Sequence, residues 1–94
     1  MFVIKSFRHK GLERYFLNGK KSGIQPSHAD RLSRQLAVLN RATCPEDVNL
    51  SGWRLHPLQG DLKDHWSITV SGNWRLTFRF EQEDVILLDY QDYH

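Results

Sequence analysis

The sequence predicts an α+β protein in which two helices near the amino terminus pack on one face of an antiparallel, mostly carboxy-terminal β-sheet. Apolar residues recur at helical spacing before residue 40, and they alternate with polar residues after Gly52. Helices gathered at one end of a chain and strands at the other are typical of the α+β class. The length of 94 residues predicts one domain spanning residues 1–94.

The amino-terminal region predicts a short strand followed by a helix. Val3–Phe7 alternates loosely between apolar and polar residues, as a strand does. The helix that follows has Leu12, Tyr15 and Phe16 on one side. The pair Asn18-Gly19 is a stop signal, so we expect this helix to end there.

A second and clearer helix is predicted to begin at Pro26-Ser27. Ser27 and Asp30 have the spacing of a capping box, and proline suits a helix start. The residues that form its apolar stripe are Ala29, Leu32, Leu36 and Leu39. The arginines that lie off this stripe, and that we expect to be exposed, are Arg31, Arg34 and Arg41. The segment Thr43–Pro45 is predicted to end the helix.

The remaining elements are predicted to be strands joined by turns. The predicted strands are Trp53–His56, which Pro57 ends, His65–Val70, Trp74–Phe80 and Val85–Tyr90. Tight turns are expected at Ser71–Asn73 and Glu81–Asp84. Because successive strand residues point to opposite faces, Arg75, Thr77 and Arg79 should face away from the helices, towards solvent or a ligand.

Composition narrows the class of protein. Cys44 is the only cysteine, so no intramolecular disulfide is possible and a cytoplasmic setting is expected. No apolar run is long enough for a signal peptide or a membrane span, so we expect a small soluble protein without membrane contacts. The five histidines show no ligand-type pairing, so neither a metal site nor a cofactor is expected.

Charge is distributed unevenly along the chain. The net charge of +2 combines +7 over residues 1–41 with −5 over residues 42–94. A basic half suits a polyanionic partner such as nucleic acid, but solvated helix faces explain the same charge.

The chain ends on three side chains that can transfer protons near neutral pH, Asp92, Tyr93 and His94. Strand alternation places Asp92 and His94 on one face and Tyr93 on the other, and His56 reaches them only if its strand lies beside the last one. An acid and a base of this kind suit metal-independent RNA cleavage, with Arg75 stabilising charge on the phosphate. Each of these residues is also common on inert surfaces, so the residues alone leave a nuclease as one of several interpretations.

Several motifs in this order resemble those of HigB toxins, which belong to the RelE/ParE superfamily of bacterial type II toxin–antitoxin systems. The motifs are R-L-H-P-L-Q-G-D over Arg54–Asp61, W-S-I over Trp66–Ile68, N-W-R-L-T-F over Asn73–Phe78, and the terminal Asp92–His94, with Ile4–Phe7 and His9–Leu12 also fitting. The resemblance covers essentially the whole chain.

This resemblance implies a RelE/ParE-like, microbial-ribonuclease-like fold and a metal-independent endoribonuclease (an mRNA interferase) that cleaves translated mRNA in the ribosomal A site. The partners that it implies are the 70S ribosome, mRNA and a HigA-type helix-turn-helix antitoxin. Operator DNA would be contacted only through that antitoxin.

The resemblance also implies catalytic roles for His56, Arg75, Asp92, Tyr93 and His94. The expected reaction is attack by the ribose 2′-OH, which gives a 2′,3′-cyclic phosphate and a 5′-OH product. His94 would serve as general acid or base with Asp92 as its partner, and Tyr93 would position the nucleotide. His56 would assist proton transfer, and Arg75 would stabilise the phosphorane.

The expected RNA-binding residues are Gln59, Lys63 and Arg79. HigB toxins often carry lysine where this chain has Gln59, and glutamine donates a hydrogen bond but supplies no positive charge. Lys63, four residues further on, is a candidate to supply that charge.

Two other functions remain open at this stage. ParE toxins poison DNA gyrase and are not nucleases, but they generally lack the terminal Asp-Tyr-His sequence. A degenerate toxin that only binds its antitoxin and represses an operon is the other alternative, and Gln59 mildly favours it.

Overall fold

The structure, a computed structural model, describes residues 4–92 of the chain. It contains two α-helices and a four-stranded antiparallel sheet, in agreement with the α+β class. These elements are α1 (Lys10–Asn18), α2 (Ala29–Leu39), β1 (His56–Pro57), β2 (His65–Ser71), β3 (Trp74–Glu81) and β4 (Asp84–Asp92). The strands are neighbours in chain order, from β1 at one edge to β4 at the other. The predicted turns at residues 71–73 and 81–84 therefore connect adjacent strands.

Helix α1 ends where the sequence predicted. Gly19 takes a left-handed conformation with φ 75°, which glycine adopts without the cost that a side chain would impose. At the other end, Nδ1 of His9 accepts a hydrogen bond from the N–H of Leu12 at 2.9 Å and caps the helix. Gly11 packs against Gly23, and a Cβ atom at Gly11 would lie 2.6 Å from the carbonyl oxygen of Gly23. The backbone of α1 can approach the following loop this closely only because both residues are glycines.

Helix α2 is shorter than the periodicity predicted. Pro26–His28 forms a 3₁₀ turn, so the α-helix begins at Ala29 with His28 in the cap position and without a side-chain cap. The predicted capping box at Ser27 is therefore wrong. The helix ends at Leu39 instead of continuing to residue 43, because the chain tightens there into turns with i to i+3 hydrogen bonds.

The arginines of this region differ in exposure. Arg34 and Arg41 are exposed, as predicted. Arg31 is half-buried because its Nη2 lies 3.4 Å from the carbonyl oxygens of both Gly52 and Thr69. The prediction that Arg31 is exposed is therefore wrong, and its side chain joins α2 to the sheet.

The predicted first strand is reduced to two isolated bridges. Ile4 and Phe7 form parallel bridges with Val85 and Leu88 of β4. A regular ladder cannot form between them because Leu87 has a left-handed backbone with φ 56°. Val3 lies outside the described residues.

Strand β1 is shorter than the predicted Trp53–His56. Arg54 has a φ of 53°, and this left-handed conformation interrupts the extended chain before His56. Pro57 belongs to the strand instead of ending it, and it pairs with Trp66. Proline is tolerated there because β1 is an edge strand, so its missing N–H group faces no neighbour.

The core lies between the helices and one face of the sheet. Its largest fully buried apolar side chains are Leu12, Leu32, Leu36, Leu39, Ile68, Leu76, Phe78 and Leu88. Each such burial contributes about 1.5–3 kcal/mol to folding, so this layer fixes the sheet against the helices. No helix within residues 4–92 has the length and apolar character that crossing a lipid bilayer requires.

Candidate functional site

The sheet face opposite the helices carries two rows of polar residues, which we call the polar face. Residues that pair directly across antiparallel strands project to the same side. The first row runs across all four strands and consists of His56, Ser67, Thr77 and Asp89. The second row consists of Thr69, Arg75 and Gln91. Apolar residues of the core alternate with these rows along each strand, which places the rows away from the helices.

Arg75 is held in place on the polar face. Its Nη1 donates a hydrogen bond to the Oγ1 of Thr69 at 3.0 Å, and its side chain is half-buried. Five N–H donors in a planar group make arginine well suited to binding phosphate. The predicted phosphate-binding residue is thus a fixed cation at the centre of the sheet.

Beside Arg75, a hydrogen-bonded group links the two rows. Nε2 of Gln91 donates to the Oγ1 of Thr77 at 3.2 Å and to the Oδ2 of Asp89 at 2.8 Å. Thr77 is only 1% exposed. Thr77 thus lies on the predicted face, but it is buried there beneath the amide of Gln91 instead of being exposed to solvent.

His56 stands exposed at the edge of the first row. Its Nδ1 lies 2.9 Å from the carbonyl oxygen of Arg54, which can only accept a hydrogen bond. Nδ1 therefore carries a hydrogen, and in the neutral ring Nε2 has the free lone pair. This tautomer leaves His56 able to accept a proton at Nε2.

Two buried polar atoms on β2 lie on the same side of the sheet as His56. Ser67 Oγ and His65 Nε2 have no hydrogen-bond partner among the described residues. Nδ1 of His65 lies 3.3 Å from the carbonyl oxygen of Lys63, which assigns its hydrogen to that nitrogen. Sequence reasoning passed over both residues, although Ser67 belongs to one of the motifs that carried the resemblance. Within residues 4–92, no three His, Cys, Asp or Glu side chains are grouped as metal ligands.

The predicted RNA-binding residues lie along the polar face and its border. Gln59 and Lys63 are exposed and flank the 3₁₀ turn Gly60–Leu62, in the loop that connects β1 to β2. Arg79 is half-buried on β3 and pairs with His65, on the same side as Arg75. The loop therefore borders the edge of the sheet that carries His56.

Asp92 lies apart from this arrangement. It is exposed at the end of β4 and pairs with Trp74, which places it on the side of Tyr90 instead of the polar face. The strand order separates β1 from β4 by three strand spacings, about 14 Å. The structure thus does not bring His56 and Asp92 together. Tyr93 and His94 lie outside the described residues, so their placement stays a prediction.

An aromatic cluster lies behind the end of β4, on the helix side of the sheet. Tyr90 stacks on Trp74 with 4.5 Å between ring centroids, and its hydroxyl lies 2.6 Å from Nδ1 of His28. Burial lowers the pKa of His28, which favours its neutral form. Burial also raises the pKa of Tyr90, and the nearby charge of Asp92 raises it further, while a backbone N–H from Gln25 acts in the opposite direction. This cluster attaches the last strand to the segment that precedes α2.

Comparison with known proteins identifies the family. Residues 5–94 match the family described as "RelE-like toxin of type II toxin-antitoxin system HigB". The chain belongs to the HigB-like toxin family. Among the relatives of this HigB-like toxin is a Proteus vulgaris protein named Endoribonuclease HigB, with 45% identity over 92 residues, which cover 98% of this chain and all of that protein. Toxin HigB-1 of Vibrio cholerae serotype O1 is 33% identical over 90 residues, which cover 94% of each chain.

Membership of this family confirms the resemblance that the motifs suggested. It also implies an antitoxin as the partner of this HigB-like toxin, because the family is defined within type II toxin–antitoxin systems. The catalytic and RNA-binding roles of the individual residues remain predictions.

Proposed function

We propose that this toxin is a ribosome-dependent endoribonuclease that cleaves translated mRNA in the ribosomal A site. The observation that carries the proposal is the pairing of a fixed cation, Arg75, with a proton acceptor, His56, on one sheet face. The backbones of these two residues are about 12 Å apart, since they are separated by two strand spacings and by two residues along the strand. Both side chains are long enough to contact one phosphodiester group that lies between them. The name Endoribonuclease HigB of the Proteus vulgaris relative supports the endoribonuclease part of this proposal.

The proposed reaction needs no metal ion. The 2′-oxygen loses its proton to a base and bonds to phosphorus, and the bond from phosphorus to the 5′-oxygen breaks as that oxygen gains a proton from an acid. The products are a 2′,3′-cyclic phosphate and a 5′-OH end. Arg75 stabilises the negative charge that develops on the phosphoryl oxygens, through hydrogen bonds from a preorganised cation.

The remaining roles follow the family resemblance. His94 is the proposed general acid or base, with Asp92 as its partner, and Tyr93 positions the nucleotide by stacking. The tautomer of His56 suits it to assist proton transfer at the β1 edge of the polar face. Asp92 lies at the β4 edge and on the other side of the sheet, so the proposed site extends from the polar face around the edge that β4 forms.

The proposed setting is the bacterial cytoplasm, where the toxin acts on the 70S ribosome. A HigA-type helix-turn-helix antitoxin is the proposed partner and makes the contacts with operator DNA. We also propose that the fold is of the microbial-ribonuclease type, in which such a sheet face carries the active site.

Primer extension on cellular mRNA after induction of the full chain tests the proposal. We expect cuts that are phased with codons and that require translation, and we expect Arg75→Ala and His94→Ala to reduce them strongly, with His94→Ala retaining the wild-type melting temperature. Arg14→Ala, which changes an exposed arginine on α1, is the matched control and should cleave like wild type. Double-strand DNA breaks without RNA cuts would replace the proposal with gyrase poisoning. Absence of both would indicate a toxin that only binds its antitoxin.

A further inference from the structure

We propose that Thr69 is a positioning residue that orients the guanidinium group of Arg75 towards the scissile phosphate. The inference rests on the proposed function, because it concerns how a phosphate-binding cation is held. The observation behind it is the hydrogen bond of 3.0 Å from Arg75 Nη1 to Thr69 Oγ1. The two residues pair directly across β2 and β3, so the contact follows from the sheet register.

Thr69 is itself fixed by its backbone. Its N–H donates to the carbonyl oxygen of Trp53 at 2.8 Å. Its carbonyl oxygen accepts from Nε2 of Gln35 at 2.9 Å and from Nη2 of Arg31 at 3.4 Å. Thr69 is therefore tied to the loop before β1 and to α2 as well as to β3.

The side chain of Thr69 is also stiff. A β-branched residue has few allowed χ1 rotamers, so the hydroxyl stays where the backbone places it. The sheet register shifts between Thr69 and Ser71, which makes Thr69 the last residue of the regular ladder with β3. An acceptor that is anchored in this way gives Arg75 one preferred orientation of its planar group.

This orientation matters for the rate of the reaction more than for RNA binding. A long arginine side chain samples many rotamers, and each one away from the reacting phosphate lowers the stabilisation of the transition state. Binding of the RNA chain depends on many contacts along its backbone, so it depends less on the direction of one group. Loss of the hydrogen bond should consequently lower kcat with little effect on KM.

The test uses Thr69→Val, which removes the hydroxyl but keeps the shape and β-branching of the side chain. In a reconstituted translation reaction with a defined mRNA, we expect kcat for cleavage to fall about tenfold and KM to stay within about twofold. Thr69→Ser retains the acceptor and should restore cleavage to within about threefold of wild type. Thr43→Val makes the same chemical change at an exposed site in the segment after α2 and should cleave like wild type.

A double-mutant cycle separates positioning from a general structural effect. If Thr69 acts through Arg75, Thr69→Val should lower the residual cleavage of Arg75→Ala by less than about twofold. A tenfold loss in both backgrounds would overturn the inference, as would wild-type kcat in Thr69→Val. A wild-type protein that cleaves no RNA would refute the proposed function itself. If wild type cleaves and Arg75→Ala is impaired, while Thr69→Val is not, only the role of Thr69 fails.

Discussion

The hydroxyl of Tyr90 connects the last strand to the segment before α2, and its removal should destabilise the toxin strongly. The hydroxyl lies 2.6 Å from Nδ1 of His28 and 3.4 Å from the backbone nitrogen of Gln25. The N–H of Gln25 donates to the hydroxyl, and the hydroxyl shares a second hydrogen bond with Nδ1 of His28, whose direction is set by the tautomer of the imidazole. Tyr90→Phe would leave that buried nitrogen without its partner in either direction.

The expected magnitude follows from the burial of the two partners. His28 is only 8% exposed, so its nitrogen cannot regain a full hydrogen bond from water. Gln25 is exposed and its contact is long, so water can replace it at little cost. One buried unsatisfied group costs about 1–3 kcal/mol, so we take about 2 kcal/mol. In a domain of 60–100 residues, this corresponds to a fall in melting temperature of about 8–16 °C.

Thermal unfolding followed by circular dichroism at pH 7.5 measures this effect. Tyr15→Phe is the matched control, because the Tyr15 hydroxyl donates at 2.7 Å to the carbonyl oxygen of Ala29 in the first turn of α2. That carbonyl retains its helical hydrogen bond, so the control should lose only about 0.5–1 kcal/mol. The assigned stabilisation of about 2 kcal/mol would be wrong if the melting temperature of Tyr90→Phe lay within about 2 °C of wild type. It would also be wrong if Tyr90→Phe lowered the melting temperature by less than Tyr15→Phe does.

Three further predictions concern pH and packing. Burial lowers the pKa of His28 below its usual 6.5, so the unfolded state binds the proton more readily and stability is lost as pH falls below about 6.5. The melting temperatures at pH 5.5 and pH 7.5 should therefore differ less in His28→Gln than in wild type. An equal difference in the two proteins would contradict this prediction. Gly11→Ala places a Cβ atom 2.6 Å from the carbonyl oxygen of Gly23 and should lower the free energy of unfolding, measured by chemical denaturation, by about 1–3 kcal/mol. An unaltered denaturation midpoint would show that the loop around Gly23 moves to accept the methyl group at no cost. Hydrogen bonds from the backbone and the hydroxyl of Thr43 lower the pKa of Asp47 below 3.8, so the stabilisation from the ionised carboxylate is present above that pH and is lost in acid. An NMR titration should show a higher pKa for Asp47 in Thr43→Val than in wild type. An unchanged pKa would show that the Thr43 hydroxyl does not contribute to the shift.

The local features of the fold were predictable because their causes lie close together in the chain. Gly19 ends α1 because glycine tolerates a left-handed backbone, and the turns after β2 and β3 follow from short polar segments between alternating runs. Strand periodicity also gave the correct sides for Arg75 and Arg79. Motif order gave the family, which the match over residues 5–94 confirms.

Errors arose where distant contacts override local preference. The alternation of Trp53–His56 predicts a full strand, but the left-handed conformation of Arg54 interrupts it, and the carbonyl of Trp53 bonds to Thr69 of β2 instead. Arg31 lies on the polar side of its helix, but carbonyl groups of the sheet draw it into a half-buried position. Neither partner is near in sequence, so no local pattern signals these contacts.

The sequence by itself determined the class of fold and the family, and it supplied the candidate catalytic residues, because these depend on side-chain type and short-range spacing. Only the tertiary structure decided which of those residues share a face. Register across three strand pairs places His56 with Asp89, sets Thr69 beside Arg75 and turns Asp92 to the other side. A shift of one residue in any pairing would exchange the two faces of a strand, so the composition of the polar face is a property of long-range pairing and not of the motifs alone.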